Sequence, residues 1–519
     1  TLGLNVEVKV MDMKTPPVDS QESFLEQQLN QEGLRLAADG CVHWRTDNPR
    51  HPRNWPLARK VHDVAWIIFL DFFVTCASTA GAPAARAARN DTGMNEILSI
   101  FIFVPLYMVG QGIGSVIFPP YSEAFGRKKL YVVSTGLYSI CCVLVAVVPF
   151  PVGVVIGRFI SGFLSAIPAV IAAGSIEDLF NARDRIWMMS IWTVVWNIGS
   201  IIGPIFGTGI VSILDWRWVF YIAAIVTGVL TLILMCIKES RPSLLLKDEL
   251  RCFEQISLNG KESHLQSWNP DHVPDLHTLA TVTLIRPLRL FVTEPIVFLV
   301  SIVSPIPYTL IYLFTEALPP VYQAFGFSPI SASLPFLAIG IGLLLSFGTR
   351  IYDYQVLTRL RKTNHPTVPE DKLTGFVIGA PVFAIGMWLF AWTIPPRVLN
   401  VHWIVSMIGL VCVGYSNCEF TTVLTGYLAD NYLSYAASGF AAQSFLRALL
   451  TAASPLFAPA MFNGLGNNVA VSVLAAVATV FCAVPPLFKR YGAELRARSR
   501  FARQSLDSYR STTVDEEGY

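Results

Sequence analysis

Residues 97–129 read ILSIFIFVPLYMVGQGIGSVIFPPYSEAFGRKK. From Ile97 to Phe118 no side chain is charged, and then Glu123, Arg127, Lys128 and Lys129 arrive together. An apolar run of about 20 residues is long enough to cross a hydrocarbon core of roughly 30 Å as a helix. The run does not alternate in polarity, as the strand of a membrane barrel would. Such runs recur along most of the chain, which explains its composition. Of 519 residues, 53% are hydrophobic and 14% charged, where soluble domains carry roughly a quarter charged. The formal charge of +2 carries no nucleic-acid signal, because the basic residues sit in the gaps between apolar runs.

Six runs fall at 62–82, 97–118, 130–149, 152–175, 187–211 and 218–237. Six more follow at 294–316, 331–349, 373–394, 399–424, 435–460 and 469–488. The expected fold class is an all-α polytopic membrane protein with twelve transmembrane helices in two pseudo-symmetric six-helix bundles. The expected division is a polar segment 1–60, a bundle 61–237, a central loop 238–291, a bundle 292–490 and a tail 491–519. The first 60 residues have no signal peptide's apolar core, so the first span is expected to serve as the insertion signal.

The charges orient the set. Arg45, Arg50, Arg53, Arg59 and Lys60 precede the first span, and Arg127 to Lys129 follow the second. Arg183 and Arg185 follow the fourth, Arg350, Arg359, Arg361, Lys362 and Lys372 separate the eighth and ninth, and Lys489 to Arg500 include five more after the last. The opposite loops hold only Arg86, Arg89, Arg217 and Arg397. This asymmetry places both termini and the central loop in the cytoplasm. The sequon Asn90-Asp91-Thr92 then falls outside, making Asn90 a glycosylation candidate. The nine cysteines show no C-x-x-C spacing, so they read as small buried hydrophobes, and no metal or cofactor is expected.

Three motifs carry mechanism. Pro119-Pro120-Tyr121-Ser122-Glu123-Ala124-Phe125-Gly126-Arg127-Lys128-Lys129 joins the second and third spans, and its glycine permits a tight reversal. Arg158 stands deep in the fourth span within Gly157–Ala166, a placement that costs roughly 2.5–3.5 kcal/mol unless it faces a partner or a polar cavity. Gly199, Gly203 and Gly207 recur at four-residue spacing around Pro204 in the fifth span, making a flat face for close helix packing.

Together these motifs resemble the major facilitator superfamily. The P-x-S-E-x-x-G-R-[KR] form of the first loop and the later Asp215-Trp216-Arg217-Trp218-Val219-Phe220-Tyr221 resemble its fungal drug:proton antiporters. Further matches include Asn54-Trp55-Pro56, Glu239-Ser240-Arg241-Pro242, Glu294-Pro295 and Phe445-Leu446-Arg447. The resemblance implies a cytoplasmic gate of Glu123, Gly126, Arg127 and Asp178, with Arg127 pairing either Asp178 or Glu177. It implies that Gly199, Gly203, Pro204 and Gly207 form the antiporter signature of exporters, and that Arg158 serves proton coupling. It further implies a binding cavity between the halves near mid-membrane.

Intramembrane charges are functional candidates because lipid exposure is costly. A carboxylate withdrawn from water titrates closer to neutrality, as a proton carrier needs. Asp71 is the first choice for the protonated site, the alternative being a structural pair with Arg158, and Glu419 is the second. Gln111, Trp192, Trp196, Asn197, Tyr308, Tyr312, Glu316, Gln443 and Arg447 are candidates for the substrate cavity, with packing as the alternative for the aromatics. The expected function is proton-coupled export of a small amphipathic drug, toxin or secondary metabolite across a fungal plasma membrane, by a monomer. Polyamine or organic-acid export is the alternative. A membrane enzyme lacks a candidate catalytic cluster, because most of the eight histidines lie in loops or at span ends. A sensor lacks a segment long enough for a sizeable signalling domain.

Overall fold

A computed structural model describes residues 27–36, 41–45, 47–148, 150–257, 266–267, 285–362, 369–397, 401–432 and 436–499. Among the described residues, twelve helices are long and apolar enough to cross a membrane. They run Leu57–Arg89, Glu96–Phe125, Lys128–Val147, Pro151–Leu179, Asp184–Ile213, Arg217–Leu234, Pro295–Ala324, Ser331–Val356, Thr374–Thr393, Trp403–Tyr432, Ser438–Leu465 and Asn467–Ala497. Several outrun the apolar stretches by a turn or more, because a helix continues past the hydrocarbon boundary wherever nothing breaks it. Arg86 and Arg89, expected in a loop, lie on the helix Gly81–Thr92, and Arg350 lies within Phe336–Lys362.

Proline sets the breaks. The second span divides at Val104 before Pro105, and the seventh at Ser304 and Pro305. In each case the missing N–H removes a rung of the helical ladder. Gly126 ends the second span with φ +97°, a conformation that a residue with a Cβ adopts only under strain.

Pairing between helices repeats from one half to the other. In the first half, spans 2 and 4, 1 and 5, 3 and 6, and 3 and 4 pack together. Spans 8 and 10, 7 and 11, 9 and 12, and 9 and 10 do the same in the second. Across the halves, span 2 meets span 11 and span 5 meets span 8, and each pair becomes the other when the halves are exchanged. Small residues permit the closest approaches. A Cβ on Gly199 would strike the Phe72 carbonyl, and one on Gly203 the Cys76 carbonyl and Thr79 hydroxyl. One on Gly207 would sit 2.7 Å from Pro83 and 3.0 Å from Ala80. The glycine stripe therefore seats the fifth span on the first.

By contacts the chain forms two compact units, of which Leu57–Ser240 with Val273–Tyr519 holds all the spans. The other comprises Thr1–Pro56 and Arg241–His272. Its described part contains strands β1 (Leu34–Leu36), β2 (Cys41–Trp44) and β3 (Gln266–Ser267), β2 pairing antiparallel with β1 and parallel with β3. Leu246, Leu250 and Phe253, on one face of the helix Pro242–Ser257, share a core with Leu29, Leu34 and Val42. Trp44 donates its indole N–H to the Pro242 carbonyl at 3.0 Å. Neither segment has enough apolar residues to bury alone, so the sequence reads as two separate polar pieces. Their shared core, and the small sheet, come only from joining them.

Candidate functional site

The glycine stripe brings Trp192 of the fifth span against Asp71 of the first. Asp71 is 1% exposed, and Trp192 Nε1 donates to its Oδ2 at 2.8 Å. Among the described residues its carboxylate makes no ion pair, and Arg447 is the charged group that acts on it. Trp196 packs on Tyr308 of the seventh span with ring centroids 4.9 Å apart. The Arg447 guanidinium lies 5.0 Å from the Trp196 ring and 5.5 Å from the Tyr308 ring. Such stacking contributes about 2 kcal/mol when desolvated. Tyr308 donates to the Tyr312 hydroxyl at 3.3 Å, which also meets Ser78 Oγ at 3.1 Å. Spans 1, 5, 7 and 11, exchanged in pairs by the pseudo-symmetry, therefore converge on an acid, a base and four aromatic rings. Apolar ring faces and a few fixed polar groups meet there, the kind of lining that small-molecule sites have.

Among the remaining cavity candidates, Asn197 and Gln443 have partners of their own. Asn417 Nδ2 of the tenth span donates to Asn197 Oδ1 of the fifth at 2.7 Å, both fully buried. Gln443 Nε2 donates to Ser304 Oγ at 2.7 Å and Thr425 Oγ1 at 3.2 Å, so it ties the eleventh span to the seventh and tenth. Gln111 is half-buried beside Gly112, where a Cβ would come within 3.1 Å of Ala448. Glu316 stands one turn beyond Tyr312. It looked close to the end of its span in the sequence, but the helix continues to Ala324, so Glu316 lies about 12 Å inside it at 1.5 Å per residue.

Arg158 and Asp71 do not pair in this structure. Arg158 Nε donates to the Phe103 carbonyl at 2.8 Å, and Nη2 donates to the same oxygen. Its guanidinium lies 4.5 Å from the Tyr107 ring and 5.4 Å from the Phe220 ring. Phe103 ends the helix Glu96–Phe103, so the arginine caps the negative end of a helix dipole.

Glu419 is also apart from the central cluster. It is buried in the second half and forms an ion pair with Arg350, which reaches Asp353 at 3.1 Å. Gly375 opens the space, since a Cβ there would strike both Glu419 and Arg350. Sequence reading missed Arg350 and Asp353 as site residues because the apolar run stops at residue 349. Their spacing of three on one helix was the available signal. Arg350→Leu strands a buried carboxylate and is expected to destabilise the protein by about 3–5 kcal/mol, while Arg350→Leu/Glu419→Leu recovers most of it. Melting temperatures of the purified variants decide this, and equal melting of the single variant and the parent contradicts it.

At the Pro119–Lys129 motif, Arg127 Nε lies 3.0 Å from Asp178 Oδ2, and Nη1 donates to the Ile171 carbonyl at 3.2 Å. Glu177 instead pairs with Arg185 at 2.8 Å. The backbone N–H groups of Arg127 and Lys128 each donate to the Glu239 carboxylate at 3.0 Å. Glu239 thus caps the third span's N-terminus, a role that its position after the sixth span did not reveal. Glu123 is half-buried at the preceding helix end. The side chain of Asn90 lies outside the described residues.

Twelve spans in two exchangeable halves, closed around a polar centre at mid-span, define a membrane transporter. The match to the Major Facilitator Superfamily covers residues 67–455, and the chain belongs to that family. It is 31% identical to the efflux pump radE of Floropilus chiversii, over 88% of this chain and 84% of that one. It is 31% identical to the multidrug transporter TPO1_2 of Candida glabrata, over 94% and 83%. Among solved structures, the fold is similar to the xylose transporter XylE from E. coli, with TM-score 0.57, 15% identity and coverage of 83% of this chain and 97% of that one. It is likewise similar to the human organic anion transporter MFSD10, with TM-score 0.55, 14% identity and coverage of 83% and 100%. The chain is a multi-pass membrane transporter for small molecules, not an enzyme.

Proposed function

We propose that this transporter is a proton-coupled antiporter that exports small amphipathic molecules from a fungal cell across the plasma membrane, with both termini cytoplasmic. The observation that carries the reading is Asp71: a buried carboxylate whose described hydrogen-bond partner is the neutral indole of Trp192, set among the aromatics and Arg447. An acid held by a neutral donor can lose and regain a proton without abandoning an ion pair. Glu419 is the weaker candidate because Arg350 already neutralises it. Exchange of a proton against substrate at Asp71 makes their binding mutually exclusive, which is the requirement for antiport. The efflux and multidrug names of the fungal relatives support export of amphipathic compounds.

With rhodamine 6G as probe, export into acidic medium is expected to collapse on adding an uncoupler while cellular ATP is clamped. The chain has no G-x-x-x-x-G-K-[ST] phosphate loop through which to use ATP. Continued uphill export without the proton gradient removes the antiport reading. Accessibility tags at Leu265 and in the tail are expected to report from the cytoplasm, and a tag beside Asn90 from outside. Labelling of all three from one side overturns the orientation.

A further inference from the structure

Tyr308, Tyr312 and Glu316 follow one another at four-residue spacing, so they share one face of the seventh span. Their polar atoms climb from the central site towards the end opposite the Gly126 turn. Tyr308 meets Tyr312 at 3.3 Å and Tyr312 meets Ser78 at 3.1 Å, and Glu316 lies one helical turn further along the same face. Glu316 is 8% exposed, and its Oε1 is fully buried with no hydrogen-bond partner among the described residues. An unpartnered buried carboxylate oxygen is expensive unless the group has a use.

Among the described residues, the charged groups acting on Glu316 are Arg86 and Glu96. Arg86, on the first span's terminal helix, donates to the neighbouring Thr315 carbonyl at 3.0 Å and acts on Glu316 together with Glu96. Glu96 is itself paired with Arg89 at 3.0 Å. The fifth, tenth and eleventh spans and the turn Ser331–Ser333 all pack against the seventh. They bring no charge to this end, since residues 197–213, 403–418 and 448–465 contain none. Arg86 is exposed, so water reaches the flank of this pocket while the carboxyl stays covered.

We propose that Glu316 is a second proton-exchange carboxylate, which takes the proton from the outer solution and passes it through Tyr312 and Tyr308 to Asp71. The proposal rests on the antiport reading and on its orientation. A proton from outer water adds to a Glu316 oxygen. On inward transfer that O–H bond breaks as one forms on the Tyr312 oxygen, whose own proton moves to Tyr308, and the proton from Tyr308 ends on Asp71. Both tyrosines emerge neutral, and Glu316 is again a carboxylate. Side chains one helical turn apart lie about 5–6 Å from each other at Cβ, a step within reach of one bridging water. The hydroxyl hydrogens rotate between the two directions of transfer.

The test reconstitutes the full chain in proteoliposomes and measures rhodamine 6G counterflow, uptake driven by a pH gradient, and dye-reported proton flux. Glu316→Gln is expected to lower the ratio of pH-driven uptake to counterflow by at least about tenfold, the smaller end of what a positioned proton-transfer group contributes. The remaining rate is expected to lose its dependence on pH at the outer face. Glu316→Asp is expected to restore both. Tyr312→Phe, which removes only a hydroxyl, lowers the same ratio and decides the matter if Glu316→Gln fails to fold. An unchanged ratio and pH profile overturns the proposal. So does a proportional loss of counterflow and driven uptake in Glu316→Gln, which makes Glu316 a substrate contact. Absence of pH-driven uptake in the parent protein instead defeats the antiport reading itself.

Discussion

Asp71→Asn is expected to abolish uphill export while leaving substrate exchange down a gradient. Asparagine keeps the volume of the side chain and can still accept the Trp192 indole N–H, so the aromatic cluster is preserved. It presents one unchanging neutral group where the parent alternates between a carboxylate and a carboxylic acid. The site then binds substrate without a proton to expel, and nothing couples the two movements. Concentrative transport is expected to fall by roughly two orders of magnitude, equivalent to about 2.7 kcal/mol in an effective barrier. Counterflow normalised to surface protein should remain measurable. Proton-driven accumulation at the parental level in Asp71→Asn would falsify the central role of this carboxylate, and Glu419 becomes the carrier to test. Loss of counterflow as well assigns Asp71 to substrate binding alone.

Arg158→Ala is expected to have the other large effect, on folding. The arginine gives two charge-assisted hydrogen bonds to the Phe103 carbonyl and stacks against Tyr107 and Phe220. A hydrogen bond from a charged group contributes about 1.5–3 kcal/mol net, and the ring contacts about 2 kcal/mol more when desolvated. Removal also strands the Phe103 carbonyl at a helix end, so a loss of about 3–5 kcal/mol is expected after partial relaxation. Most of the protein should fail to reach the membrane. Arg158→Lys keeps the charge but not the planar fork, and should recover only part of the yield. Because Arg158 does not touch Asp71, Asp71→Asn/Arg158→Ala should be no better expressed than Arg158→Ala. Recovery of both expression and transport by the double variant restores the structural pair that the sequence leaves open.

These contrasts separate what is local from what is not. Twelve spans, the six-plus-six division and the motif positions are legible because crossing a bilayer demands apolar runs of known length and leaves charge for the loops. The candidate site is partly legible for the same reason: a polar or aromatic side chain in an apolar run has to be accommodated, and Asp71, Trp192, Trp196, Tyr308, Tyr312 and Arg447 do gather at one place. Helix ends are not legible from hydropathy, because a helix persists beyond the hydrocarbon. Hence Arg350 and Asp353 look like loop charges, and Glu316 looks terminal.

Partnership is the property that only the tertiary structure decided. Arg158 has several acids available in the sequence, yet it binds a carbonyl that a proline-marked break leaves over. Glu419 finds Arg350 across Gly375, and Glu239 caps a helix more than a hundred residues earlier in the chain. The opening segment and central loop each lack a core until they are placed together. By itself, the sequence determined which runs are apolar enough to span a bilayer, through the cost of transferring each group from water into hydrocarbon. Which residues of those runs touch depended on helix packing, through small residues on separate spans that meet only in three dimensions.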